Sequence, residues 1–180
     1  MWLVVSATTA VLGFTGCAGD RYKRSTGEYI DDKSIRLRVS EDLGENPDYK
    51  FKGVKVNVFK GTVQLSGFVD MYAQKSRAEE VARQVQGVKI VENRITVKNR
   101  GERTAGEYID EKTLASNVRS SLKNDPNYKF DEVVVTTSKN TVQLSGFVNT
   151  ADQKRTAGSL AKETPGVKDV VNNINVKDKM

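Results

Sequence analysis

Hydrophobic positions along this chain change period several times. Ile30, Ile35, Val39 and Leu43 keep to one stripe of a helix, since residues near four apart share a helical face. That helix is expected to end before Pro47. Val54, Val56 and Val58 then alternate with Lys55 and Asn57, and Val63, Leu65 and Val69 alternate with Gln64, Ser66 and Phe68. Period two predicts two strands, each with one buried face. Lys60-Gly61 between them suits a two-residue hairpin turn that needs positive φ. Ala78, Val81, Ala82 and Val85 return to helical spacing, with Gly87 as the expected C-cap. Val88, Val91, Ile95 and Val97 close the unit with a third strand.

The whole pattern is written twice. Thr62-Val63-Gln64-Leu65-Ser66-Gly67-Phe68-Val69 recurs letter for letter as Thr141-Val142-Gln143-Leu144-Ser145-Gly146-Phe147-Val148, and residues 25–100 align without a gap on 104–179 with 35 identities in 76 positions. Such a repeat means duplication of one supersecondary unit. Each copy reads α-β-β-α-β, an α+β unit with two helices on one face of a small three-stranded mixed sheet; the strands joined through a helix can lie parallel. Copy two repeats the stripe as Ile109, Leu114, Val118 and Leu122, the turn as Lys139-Asn140 and the C-cap as Gly166. Gly67 and Gly146 fall mid-strand, where Gly marks close backbone approach or a bulge. The expectation here is a third option, a helix packed over a bare spot of the sheet. Phe68 and Phe147 have the strand parity opposite Leu65 and Leu144. Both should point from the open sheet face, which suggests that these faces meet each other or a partner.

The first 19 residues carry no charged side chain, and their apolar run ends at Thr15-Gly16-Cys17. A spanning helix needs about 20 apolar residues, whereas a signal-peptide core has roughly 7–15. The run and its ending resemble a bacterial lipobox. The resemblance implies cleavage before Cys17 and acylation of that residue. The expected divisions are a signal peptide over 1–16, a lipidated tether over 17–24, copy one over 25–100, a linker over 101–103 and copy two over 104–180. Ala18 in place of Asp after the anchor favours the outer membrane, at its periplasmic face; the alternative is a soluble periplasmic protein.

Composition narrows the chemistry. The chain has no His and one Cys. It therefore lacks the usual neutral-pH base, an internal disulfide and a Cys-rich zinc site. Asp31-Asp32 and Asp110-Glu111 sit where carboxylates favour the positive end of a helix dipole, and no catalytic partner for them is apparent. Ser66 and Ser145 do not lie in a nucleophile elbow. No enzyme activity, metal or cofactor is expected. The net charge of +6 divides into +3 for copy one, +1 for copy two and +2 for the tether. Arg21, Lys23 and Arg24 stand beside the anchor, where a basic residue near an anionic surface contributes about 1 kcal/mol. Arg119, Lys123 and Lys129 gather around the first helix of copy two and the loop after it. These six are the candidates for lipid-headgroup contact. The charge is mixed with no basic stripe, so nucleic acid is not an expected partner.

The residues Asp31, Ile35, Val39, Leu43, Val54-Lys55-Val56, Gly61 to Val69, Gly87-Val88-Lys89, Val91, Asn93 and Ile95 resemble the BON domain, a bacterial module of osmotic-stress periplasmic proteins and outer-membrane lipoproteins. Both copies match. The resemblance implies a tandem-BON lipoprotein that supports envelope integrity, with phospholipid binding attributed to the second domain. A scaffold acting through envelope proteins alone is the alternative.

Overall fold

The computed structural model describes residues 23–98 and 105–177, with backbone only for 105–110. Copy one runs α1 (Thr26–Gly44), β1 (Val54–Phe59), β2 (Thr62–Val69), α2 (Tyr72–Gln84), β3 (Ile90–Asn93) and β4 (Thr96–Val97). Copy two runs α3 (Ala105–Lys123), β5 (Val133–Ser138), β6 (Thr141–Val148), α4 (Ala151–Glu163) and β7 (Asp169–Val176). In each sheet the first two strands pair antiparallel and the last pairs parallel to the central one. The last strand of copy one is broken at Arg94-Ile95 into β3 and β4, both on β2.

Local chemistry sets the ends of these elements. Ser25 Oγ accepts from Glu28 N at 3.2 Å, and Glu28 Oε2 accepts from Ser25 N at 2.8 Å, a reciprocal box that satisfies two donors at the start of α1. The Ser25 backbone N–H holds the Glu28 carboxyl below its ordinary range. Thr150 and Gln153 repeat the box on α4. Both α2 and α4 stop earlier than the glycines suggested. Their C-caps are Val85 and Thr164, in extended backbone. Gly87 (φ +93) and Gly166 (φ +92) serve the turns beyond, closed by Val88 N to Val85 O and Val167 N to Thr164 O. Positive φ at the third turn position is what calls for Gly there.

Each copy has its own core between helices and sheet. Ile35, Val39 and Leu43 meet Val63, Leu65 and Ala78 in the first, and Leu114, Val118 and Leu122 meet Val142, Leu144 and Ala157 in the second. Ile30 does not join the stripe; it is 57% exposed. Asp32 takes the inward place, and its carboxylate accepts from Lys60 N at 2.8 Å and Gly61 N at 2.9 Å. The helix-dipole reading of this acid is thus replaced by a clamp on the β1–β2 turn. Glu111 does the same for Lys139 N in copy two. Tyr49 with Phe51, and Tyr128 with Phe130, close the open side of each core.

The mid-strand glycines also depart from the expectation. No helix packs over a bare spot. Gly67 has φ +106 and a Cβ there would lie 2.0 Å from Gly53 O, while Gly146 has φ +110 and a Cβ 1.9 Å from Glu132 O. Backbone approaches backbone at both places, in a conformation that side chains rarely adopt.

Candidate functional site

With helices covering one face of each sheet, the other two faces meet. β2 lies against β5 and β6. Gln64, Ser66, Gln143 and Ser145 are all 0% exposed, and buried polar groups must be paired to avoid a desolvation cost. They are paired across the seam, reciprocally. Gln64 accepts from Gly146 N at 2.6 Å and donates to Asn173 O at 2.8 Å. Gln143 accepts from Gly67 N at 2.5 Å and donates to Arg94 O at 2.9 Å. Ser66 Oγ and Ser145 Oγ lie 2.8 Å apart between them. Partners exchange under the 79-residue offset, so the seam has the self-complementary form of a two-fold interface within one chain. Phe68 is 7% and Phe147 4% exposed. Phe147 stacks on Phe59 with centroids 5.4 Å apart.

Two grooves flank this axis. The first, about 260 Å³, includes Arg24, Tyr29, Asp32, Glu132 and Phe147. Arg24 is engaged there: its guanidinium donates to Asp32 at 3.1 Å, Val58 O at 3.3 Å and Glu132 at 2.6 Å. It also stands over the Tyr29 and Phe59 rings at 5.1 and 5.5 Å. Lys177 pairs with Glu132 at 2.8 Å and caps Phe59 at 5.1 Å. Arg24 is thus held by both copies, and a headgroup would have to displace these partners. The second groove, about 520 Å³, includes Lys55, Phe68, Lys98, Glu111 and Arg119.

Arg119, Lys123 and Lys129 come together at a third cavity of about 420 Å³, with Leu122, Phe130 and Asp131. Arg119 donates to Val135 O at 2.9 Å. Lys23 lines a further cavity, which shares Arg24, Tyr29 and Glu132 with the first groove. Cys17 and Arg21 fall outside the described residues, as do the divisions at 1–16 and 101–103. Among the described residues no group of three or more His, Cys, Asp and Glu side chains gathers to hold a metal. No helix among them is long and apolar enough to cross a membrane. Strand parity places Gln64 and Gln143 on the open face beside the phenylalanines but assigns them no role. Their signal was an amide at the same parity as Phe68 in two identical octapeptides.

The geometry describes two αββαβ units, each with its own core, joined back to back. The BON domain model matches residues 31–99 and 110–178, and the chain belongs to the BON domain family. It is 32% identical over 158 residues to Osmotically-inducible protein Y of Escherichia coli (strain K12), across 88% of this chain and 79% of that protein. It is 38% identical over 150 residues to Outer membrane lipoprotein DolP of Haemophilus influenzae, across 82% and 76%. Among solved structures, the C-terminal domain of CdsD from the type III secretion system of Chlamydia trachomatis aligns over 81% of this chain and 66% of that one. Its identity is 19% and its TM-score 0.33.

Proposed function

We propose that this is a non-catalytic envelope protein, anchored through acylated Cys17 to the periplasmic face of the outer membrane, which binds anionic phospholipid and supports envelope integrity under stress. The names of the two relatives, an osmotically inducible protein and an outer membrane lipoprotein, support the setting. The observation that carries lipid binding is the cavity of copy two that Arg119, Lys123 and Lys129 line together with the apolar Leu122 and Phe130. Cations beside apolar side chains in one cavity suit a phosphate joined to acyl carbon. Among the described residues the cavity carries one carboxylate, Asp131, against those three cations.

Flotation with residues 18–180, which lack the anchor, tests the reading. Vesicles containing an anionic phospholipid are expected to carry the protein, zwitterionic vesicles are not, and binding is expected to fall with salt. A surface cation contributes about 1 kcal/mol, so Lys123→Gln with Lys129→Gln is expected to cost about 2 kcal/mol, roughly 30-fold in partitioning. Absence of vesicle binding, or binding indifferent to salt and to both lysines, rejects the proposal.

A further inference from the structure

The two grooves beside the seam are related by the internal two-fold, yet their contents differ. In the first, the Phe59 ring lies on Phe147, and the Glu132 carboxylate joins Lys177 to Arg24. Lys177 serves both, pairing with the carboxylate and standing over the ring. Ring and carboxylate are therefore gathered around one ammonium. The first groove is narrowed by the protein's own aromatic and acidic groups.

The offset of 79 gives the matching positions of the second groove. Phe68 corresponds to Phe147 and Lys98 to Lys177, so the receiving ring and ammonium are kept. The groups they would receive are not. Ser138 stands for Phe59, and Gly53 stands for Glu132. Asp131, which lines the first groove, corresponds to Lys52. Lys55 replaces Val134 and Arg119 replaces Ser40, while Ala115 replaces Arg36, so one cation is gained on balance at these positions. Glu111 is the carboxylate of the described lining, and it is spent on the Lys139 backbone. Lys98 pairs with Asp70 at 3.0 Å, an acid whose side chain is 71% exposed. A pair that exposed contributes little and exchanges readily. The volume is about twice that of the first groove.

We infer that the second groove binds a segment of a partner protein that presents an aromatic side chain next to a carboxylate. The ring packs against the part of Phe68 that lines the groove, in the place that Phe59 takes against Phe147. The carboxylate meets Lys98, Lys55 and Arg119 as Glu132 meets Lys177 and Arg24. Offset or tilted ring pairs at such separations are favourable beyond their buried area, and a cation shared by ring and carboxylate adds to both. The molecule itself thus supplies the template for its ligand. This assignment does not rest on lipid binding: Arg119 lines both cavities, but the two lysines that test lipid binding, Lys123 and Lys129, line only the other.

The test is a titration of residues 18–180 with a short fluorescent peptide carrying adjacent Phe and Glu, read by anisotropy. Saturable binding is expected. The peptide versions Phe→Ala and Glu→Gln are each expected to bind at least fivefold more weakly. In the protein, Ser138→Phe restores the missing ring to the groove and is expected to weaken the peptide at least tenfold, with the fold verified by circular dichroism. Should that variant fail to fold, Lys55→Gln with Lys98→Gln replaces it, with at least a fivefold loss expected. No saturable binding, or unchanged affinity in a folded groove variant, overturns the inference. So does a loss of peptide affinity in Lys123→Gln with Lys129→Gln as large as in the groove variant, without vesicles present, since it would place the peptide in the lipid cavity.

Discussion

Gly146→Ala is expected to destabilise the protein by about 4 kcal/mol. Two costs add. The backbone there has φ +110, and holding a side-chain-bearing residue in a sparsely populated region costs about 1–3 kcal/mol. The new Cβ would sit 1.9 Å from Glu132 O and 3.1 Å from its carbon, and forcing an extra carbon into packed surroundings costs about 1–3 kcal/mol. Relief by a flexible neighbour is not on offer, because the obstacle is backbone. Moving Glu132 would also disturb its pairs with Arg24 and Lys177. Gly67→Ala should behave alike, against Gly53 O at 2.0 Å. Gly44→Ala is the control. It ends α1 with nothing within 4 Å of its Cβ, so Ala is expected to be neutral or stabilising by up to about 1 kcal/mol. Urea unfolding followed by circular dichroism measures all three. A loss below about 1 kcal/mol for Gly146→Ala would contradict the steric account.

Repetition made the fold readable. Val63, Leu65, Val142 and Leu144 alternate cleanly because the helices cover one face of each sheet, and the structure buries all four. Periodicity failed where one polar residue outranked an apolar one. Ile30 fits a helical stripe by spacing, but Asp32 is the residue the turn needs, and two backbone N–H groups decide the matter. Gly67 and Gly146 stand out mid-strand, but spacing cannot say whether a helix or a neighbouring backbone comes close. The grooves were the least legible part. Arg24 reads as a tether cation, and only the folded chain brings Glu132, 108 residues away, to its guanidinium. The difference between the grooves lies at Phe59 and Ser138, a mismatch inside an alignment that otherwise invites attention to its identities.

Gln64→Leu together with Gln143→Leu is expected to separate the two copies while leaving each folded. The backbone groups these amides now satisfy across the seam are Gly67 N, Gly146 N, Arg94 O and Asn173 O. Left buried without partners, such groups cost about 1–3 kcal/mol each, so a closed seam would bear at least about 4 kcal/mol. Opening the seam lets water reach them, and the cost is then limited to the free energy that held the copies together. The separate cores beneath each sheet give the copies a way to part without unfolding. Amide exchange at Gly67 and Gly146 should therefore accelerate roughly 100-fold, the equivalent of about 2.7 kcal/mol, while amides under Leu65 and Leu144 keep most of their protection. Loss of protection throughout both sheets would show instead that the seam is integral to each fold. The same variant separates the two binding surfaces. The peptide groove is built from Phe68 and Lys98 of copy one against Arg119 of copy two, and it should vanish when the copies part. The cavity of Arg119, Lys123 and Lys129 lies wholly within copy two, and vesicle binding there should persist.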